Sequence, residues 1–147
     1  MKALLQRVSQ ARVIMGDDVV GSISRGVVVL LGVANGDTER DIEYLTHKVI
    51  NMRIFPDKDQ RFHLSLRDIR GEVLVVSQFT LMAQTKKGHR PSFTEAASPQ
   101  EAEPLFESFI ERLHATGLVV ERGVFQQHLV VEIYNDGPVT ILLNSRE

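Results

Sequence analysis

The sequence predicts an α+β fold: a mostly antiparallel, barrel-like sheet with two helices in the order βββ-α-β-α-βββ. Strand-like segments are grouped at both ends of the chain, and two amphipathic segments are separated by one strongly apolar strand. The length of 147 residues predicts one domain over residues 1–147. A composition of 43% hydrophobic and 24% charged residues is typical of a globular protein.

The first third of the chain predicts three strands. Lys2–Met15 mixes apolar and polar residues as a long or bent strand does, and Gly16-Asp17-Asp18 is a turn signal. Val19–Ile23 follows as a short strand. The near-continuous apolar run Val27–Val33 is typical of a strand that is buried on both faces.

Two helices are predicted from their start signals and apolar faces. Asp37 or Thr38 can cap a helix over about residues 39–53. Ser98, followed by Pro99 and, three residues after the cap, by Glu101, caps a second helix that runs to about Thr116.

The rest of the chain alternates between loops and strands. Phe55–Ser65 is predicted as an irregular polar loop, and Glu72–Leu81 is the strongest strand pattern in the protein. Ala83–Ser98 is a long basic loop, and loops of this length inside a domain often carry function. Three further strands are expected, over Leu118–Gly123, His128–Asn135 and Val139–Leu143.

Composition excludes several classes of function. Without cysteine there are no disulfides, thiolate metal sites or cysteine nucleophiles, which fits a cytoplasmic protein. No apolar run is long enough to span a bilayer, and the N-terminus has no signal-peptide pattern. The five histidines show no metal-ligand spacing, so neither a metal nor another cofactor is expected. A net charge of −2 argues against bulk coating of nucleic acid but leaves a local basic patch open.

The first candidate constellation is Ser77-Gln78-Phe79-Thr80, at the end of the Glu72–Leu81 strand. Alternation places Ser77 and Phe79 on one face of that strand, and Gln78 and Thr80 on the other. A strand that is apolar on both faces and then becomes polar on both can end at a pocket. It can equally well simply emerge into solvent, because strand ends are routinely polar.

The second constellation is Asn135-Asp136-Gly137-Pro138-Val139-Thr140. Local signals favour a hairpin turn, since asparagine, aspartate, glycine and proline are the usual turn residues. A functional interpretation uses the backbone: glycine lets another group approach closely, and about 5–6% of X-Pro bonds are cis.

The third constellation is the basic run from Lys86 to Phe93. Three positive charges beside an aromatic ring can hold phosphate and stack a base. The alternative is a solvated basic loop. The chemistry of the residues alone therefore indicates a pocket at a strand end, a special turn and a basic loop, but it does not identify a substrate.

At these residues the sequence resembles the D-aminoacyl-tRNA deacylases. The segments Ser77–Leu81 and Asn135–Thr140 match that family's two signatures, and Gly88–Phe93 resembles a further family stretch. Gln6-Arg7-Val8 and Val27–Val33 are also similar, so the resemblance covers essentially the whole chain. One departure lies after the first helix, where the family often carries Met-Asn and this chain has Phe62-His63.

The resemblance implies a homodimer with its active site at the subunit interface, acting on aminoacyl-tRNA. The implied reaction is hydrolysis of the ester that joins a D-amino acid to the terminal adenosine of tRNA, and glycine mischarged onto tRNA is an implied further substrate. Residues of the first signature would line the aminoacyl-adenosine pocket, and the Gly-Pro pair would enter the partner's pocket in cis as the chiral selector. The expected site residues are Ser77, Gln78, Phe79 and Thr80 in the catalytic pocket, Gly137 and Pro138 in the selector, Arg7 as its brace, and Phe93 near the adenine.

The mechanism that we favour from the sequence is RNA-assisted hydrolysis. Thr80 or Ser77 could be a nucleophile, but neither has an adjacent base in the sequence. The tRNA's terminal ribose 2′-OH could instead activate water, with backbone N–H groups near Phe79 and Thr80 holding the oxyanion. Two alternatives stay open: a non-catalytic tRNA- or RNA-binding module that uses the basic loop, and an ordinary serine or threonine esterase.

Overall fold

The computed structural model describes residues 1–147 and confirms the α+β class. It contains three helices rather than two, because a short helix precedes the sixth strand. A 3-10 turn over Phe79–Met82 follows that strand. The elements are β1 Lys2–Met15, β2 Asp18–Ile23, β3 Gly26–Gly32, α1 Glu39–Asn51, β4 Arg53–Pro56, β5 Phe62–Ser65, α2 Leu66–Ile69, β6 Glu72–Ser77, α3 Pro99–His114, β7 Val120–Arg122 and β8 Val130–Asn144.

The main sheet is organised around the long strand β1. β1 pairs antiparallel with β3 through its first half, with β2 through its second half, and with β8 along nearly its whole length. β3 then pairs with β6, and β6 with β7, both in parallel, so the sheet is mixed. β1 thus has pairing partners on both edges, and the mixed sheet has the near-barrel form that the sequence predicted.

β3 separates two hydrophobic clusters, which explains its continuous apolar sequence. Val27, Val29 and Leu31 face the larger cluster, where α1 and α3 cover the sheet, while Val28 faces the smaller cluster with β1 and β6. Burying a valine or leucine side chain in this way contributes about 1.5–3 kcal/mol relative to leaving it in water. The prediction of a strand buried on both faces is confirmed.

Both predicted helix starts are confirmed. Thr38 caps α1 with its hydroxyl, and the Asp41 carboxylate accepts the Thr38 backbone N–H at 2.8 Å. Ser98 caps α3, where Pro99 occupies the first helical position. Neither of these helices, nor α2, is long and apolar enough to cross a membrane.

The prediction of a loop over Phe55–Ser65 is wrong, because this segment contains the β4–β5 hairpin. Phe55 is fully buried in the larger cluster, whereas residues 57–61 form the polar turn of the hairpin. Four-residue strands are too short for alternation to be recognised in the sequence. Helix α2, capped by Ser65, follows directly.

β6 ends at Ser77, so the prediction of a strand through Leu81 is wrong. The last β3–β6 pair joins Leu31 to Ser77, and β3 itself ends one residue later. Without a neighbour to pair with, the chain turns into the 3-10 segment, and the side chains of Phe79 and Thr80 are both exposed. Strand alternation therefore does not apply to them.

The C-terminal region is one strand, β8, rather than two strands joined by a hairpin turn. Thr140 pairs with Gln6 and Asn135 pairs with Val8, so residues 136–139 bulge out opposite the single residue Arg7. Asparagine, glycine and proline mark a departure from regular pairing, and they do not distinguish a reversal of the chain from a bulge. The hairpin-turn interpretation is therefore wrong.

A buried carboxylate holds the start of α1 against the end of β8. The Asp37 side chain has no solvent exposure, pairs with the Met1 α-ammonium at 2.8 Å and with Arg146 Nη2 at 2.8 Å, and accepts the Ala34 backbone N–H at 2.6 Å. Since breaking a buried pair leaves an uncompensated charge, Asp37→Asn is expected to lower the free energy of unfolding by about 3 kcal/mol. For a chain of this size that corresponds to a fall in Tm of roughly 6–12 °C, measured by calorimetry.

Asp59→Asn is the matched control for this prediction. Asp59 also pairs with an arginine, Arg61 at 3.0 Å, but its side chain is 70% exposed. Exposed pairs contribute little, so this variant is expected to keep the wild-type Tm. Equal Tm values for the two variants would contradict the structural role assigned to Asp37.

Candidate functional site

A cavity of about 730 Å³ opens where β6 ends. Its polar side is formed by Ser77 and Gln78, and the Phe79 ring lies beside them. The other walls come from the long loop before α3, the first turn of α3 and the segment before β8. The lining is mostly apolar with a few polar groups, which is the usual character of a small-molecule site.

Phe79 and Phe93 form an aromatic pair at the mouth of this cavity. Their ring centroids lie 5.0 Å apart at an interplanar angle of 68°, an edge-to-face contact. Phe79 is 56% exposed although it is a large apolar side chain. An exposed ring that is held by a second ring offers a stacking surface to a flat ligand.

Thr80 is not part of the cavity wall. Its side chain is exposed on the 3-10 turn, and its hydroxyl accepts a hydrogen bond from Gln78 Nε2. The structure thus brings Ser77, Gln78, Phe79 and Phe93 together, and places Thr80 next to them but outside the lining residues.

The long loop between β6 and α3 is fastened at its base. Gln84 and Ser92 exchange two backbone hydrogen bonds of 2.8 and 3.0 Å, and the Asn35 side chain donates to the Thr94 carbonyl at 2.9 Å. The tip of the loop, residues 86–90, is exposed, and its lysines and arginine make no ion pair. Unpaired positive charge therefore stands beside Phe93.

One wall of the cavity was not predicted from the sequence. Residues 124–129 form it, and it includes Phe125 and His128. No hydrogen bond joins His128 to Ser77. The sequence analysis considered the histidines only as metal ligands, and nothing local marks this segment as a cavity wall. Across the chain, no three histidine, aspartate or glutamate side chains are grouped to hold a metal.

An ion pair holds this wall against α3. Arg122 donates to both carboxylate oxygens of Glu107 at 2.6 Å, and its guanidinium lies 5.2 Å from the Phe106 ring centroid. Phe106 in turn packs against Phe125, with centroids 5.8 Å apart. The hydrogen bond from Arg122 lowers the pKa of Glu107, and the same bond raises the pKa of Arg122.

The second predicted location is the β8 bulge, where the Gly137-Pro138 bond is cis as predicted. Asn135 closes the base of the bulge: its side-chain oxygen accepts the Val139 N–H at 3.2 Å, and its amide donates to the Thr140 hydroxyl at 2.9 Å. Gly137 and Pro138 lie at the exposed tip.

Arg7 contacts the backbone of the bulge through its guanidinium. The side chain is nearly buried; Nε donates to the Asp136 carbonyl at 3.0 Å and Nη1 donates to the Ile54 carbonyl at 2.7 Å. Its guanidinium also lies 5.7 Å from the centroid of the Phe62 ring. The bulge is therefore connected through Arg7 to the β4–β5 hairpin.

Within one chain the two locations are separate. Arg7, Gly137 and Pro138 are absent from the residues that line the cavity beside Phe79. The structure thus brings the predicted residues together in two groups rather than one.

Comparison with known proteins decides the family. Residues 4–144 match the family model described as D-Tyr-tRNA(Tyr) deacylase. The chain belongs to this family. The predicted resemblance is therefore confirmed, and so is the prediction that the protein is an enzyme.

Members of the D-Tyr-tRNA(Tyr) deacylase family align with the chain from end to end. A D-aminoacyl-tRNA deacylase of Dehalococcoides mccartyi strain 195 is 55% identical over 147 residues, which are 100% of this chain and 96% of that protein. The Aquifex aeolicus D-aminoacyl-tRNA deacylase is 52% identical over 147 residues, covering 100% and 99%.

Two solved structures share the fold. One, described as a c-Myc DNA unwinding element binding protein, is 40% identical with a TM-score of 0.93 and covers 98% of each chain. Another, described as a probable eukaryotic D-amino acid tRNA deacylase, has a TM-score of 0.82 at 16% identity, covers 97% of each chain, and supports the fold alone.

Proposed function

We propose that this protein hydrolyses the ester bond of D-aminoacyl-tRNA and releases free tRNA and the D-amino acid. Family membership supports the reaction class. In this chain the proposal rests on one observation, the cavity beside the Phe79–Phe93 pair. The ring pair would receive the terminal adenine, and the polar end at Ser77 and Gln78 would face the ester. Because its substrate is aminoacyl-tRNA, the activity belongs to the cytoplasm.

Lys86, Lys87 and Arg90 would contact the phosphates near the 3′ end of the tRNA. They are exposed, unpaired and on the same loop as Phe93. A few such contacts position a nucleic acid without requiring a basic protein overall, which agrees with a net charge of −2.

The bulge would select D from L substrates in a homodimer, by entering the cavity of the partner subunit. Its tip is exposed, carries no side chain at Gly137, and is held by Arg7 and Asn135. Backbone atoms that fill the space of an L side chain reject every L residue from Cβ outward, whereas a D side chain points elsewhere. Glycine has nothing to clash, so this sieve would admit mischarged glycyl-tRNA.

For the chemistry we propose that the ribose 2′-OH of the tRNA activates the attacking water. The cavity contains no paired acid and base, and the first N–H groups of the 3-10 turn, at Phe79 and Thr80, have no acceptor within that turn. Such N–H groups would stabilise the oxyanion that develops on the ester carbonyl.

Thr80→Ala is expected to retain most of the wild-type turnover, within about threefold. The Thr80 hydroxyl lies outside the cavity lining and is bound by Gln78, so removing it does not remove a nucleophile. Single-turnover hydrolysis of D-Tyr-tRNA measures this. A fall of about 10³-fold or more with tRNA binding intact would assign covalent chemistry to Thr80 instead.

The reaction itself is tested by deacylation of D-Tyr-tRNA and L-Tyr-tRNA, with and without a metal chelator. We expect rapid loss of the D ester only, unaffected by the chelator. Hydrolysis of both esters would support the proposed esterase reaction but contradict the proposed selection of D over L substrates. If neither ester is hydrolysed and tRNA is still bound, the result would favour a non-catalytic RNA-binding module. One similar structure is named for binding a DNA element.

A serine esterase is the second candidate, because Ser77 and His128 line the same cavity. That function requires His128 to activate the serine hydroxyl, although no hydrogen bond joins them here. It predicts that small D- and L-esters are cleaved alike and that Ser77→Ala is inactive. The proposed deacylase spares small L-esters.

A further inference from the structure

We propose that Phe62 is a positioning residue for chiral selection, acting through Arg7 on the Asp136–Gly137 backbone; this inference rests on the proposed function. Phe62 stands at the start of β5, outside both signatures. Its ring is 57% exposed, yet it lies 5.7 Å from the Arg7 guanidinium.

Three residues hold the Arg7 guanidinium. The Ile54 carbonyl accepts from Nη1 at 2.7 Å, the Asp136 carbonyl accepts from Nε at 3.0 Å while the Asp136 carboxylate lies 3.6 Å from Nε, and the Phe62 ring lies against the cation. Two of these partners belong to the β4–β5 hairpin, and only one belongs to the bulge. The hairpin is therefore the support from which Arg7 reaches the bulge.

Arg7 and Gly137 lie so close together that a shift of the Arg7 guanidinium would displace Gly137. An added Cβ on Gly137 would lie only 3.1 Å from Arg7 Nη2, so the guanidinium and the glycine already stand nearly in contact. If the guanidinium tilts, the Asp136 carbonyl loses its donor and the tip of the bulge moves with it. A small displacement matters, because the tip must occupy the space of an L substituent.

The ring is suited to this task because its contact with the cation does not use a hydrogen bond. Both Nε and Nη1 already donate to carbonyl oxygens, so the face of the guanidinium is what remains to be restrained. An aromatic face attracts a cation through its quadrupole, which an aliphatic side chain of similar volume does not do.

The variant that tests the proposal is Phe62→Leu, with Phe62→Tyr as the conservative rescue. Because the site is exposed, we expect Phe62→Leu to keep its Tm. We expect the ratio of D- to L-Tyr-tRNA hydrolysis to fall about threefold to tenfold, mainly through faster L hydrolysis, and Phe62→Tyr to restore the wild-type ratio.

Tyr44→Leu is the matched control. Tyr44 is the other exposed aromatic residue that contacts a cation, with Lys48 Nζ 5.6 Å from its ring centroid, and it lies on α1 outside both parts of the candidate site. This variant is expected to keep the wild-type ratio. A double-mutant cycle of Phe62→Leu with Arg7→Lys should be non-additive, since both changes act on one contact.

A second readout does not depend on activity. Hydrogen exchange of the Arg7 Nε–H, followed by NMR, is expected to be faster in Phe62→Leu than in the wild type or in Phe62→Tyr. An unchanged exchange rate, or a wild-type D-to-L ratio in Phe62→Leu, would overturn the inference. A wild-type protein without D selectivity would instead overturn the proposed function, and the exchange measurement would still decide the positioning of Arg7.

Discussion

Replacing Gly137 with alanine is expected to lower the ratio of D- to L-Tyr-tRNA hydrolysis by about tenfold or more. Gly137 has φ = +130°, a conformation that L residues rarely adopt. A Cβ there would lie 2.8 Å from Val139 Cγ2 and 3.1 Å from Arg7 Nη2. Backbone strain of this kind costs about 1–3 kcal/mol, and the bulge can relieve it only by moving its tip.

The control is Gly16→Ala, in the turn between β1 and β2. Gly16 also has a positive φ, +62°, but a Cβ there would have no heavy atom within 4 Å. Alanine at this position therefore has the energetic cost of a positive φ but no steric clash of its Cβ. Gly16 also lies outside both parts of the candidate site. A Gly137→Ala protein with the wild-type ratio, or an equal change in Gly16→Ala, would show that the bulge does not select.

Replacing Phe79 with alanine is expected to lower kcat/KM for D-Tyr-tRNA by about 10- to 100-fold. Stacking of a base on an aromatic side chain is worth about 1–3 kcal/mol, and Phe79 presents an exposed ring held edge-on by Phe93. Because the ring is exposed, the loss should appear in catalysis and not in Tm. Steady-state kinetics on D-Tyr-tRNA give the value.

Tyr134→Ala serves as the comparison for Phe79→Ala. Tyr134 is an equally exposed aromatic side chain on β8, and it does not line the cavity. Its removal should leave kcat/KM within about twofold if ring stacking at Phe79 is the cause. If Phe79→Ala has the wild-type kcat/KM, the ring pair does not bind the adenine.

Sequence reasoning predicted the elements whose signals are local and long. β1, β3, α1 and α3 were predicted because each has a sustained apolar pattern, and both long helices also have a capping residue. The β4–β5 hairpin was missed since its strands are only four residues long. The end of β6 was misplaced because it depends on where its neighbour β3 stops.

The residues of the candidate site also fall into those that the sequence predicted and those that it did not. The two signatures drew attention to Ser77–Phe79 and to Gly137-Pro138, and the motif similarity further implied Arg7 and Phe93. Phe62 was noticed only as a departure from the family pattern and was given no role, and the wall at residues 124–129 was not found, because their contacts are made across the fold. Local signals at Asn135–Thr140 favoured a hairpin, and only pairing with β1 on both sides distinguishes a bulge.

The central claim is that the cavity of one subunit and the bulge of another form a single site, and mixing two variants tests it most directly. Gly137→Ala retains its cavity and Phe79→Ala retains its bulge. In an equimolar mixture that exchanges subunits, each mixed dimer contains one intact site, so about a quarter of all sites are restored. The account predicts that L-Tyr-tRNA hydrolysis by the mixture falls to about half of the sum of the two variants assayed separately, because half of the intact cavities now face an intact bulge. L hydrolysis equal to that sum, with subunit exchange verified, would contradict it.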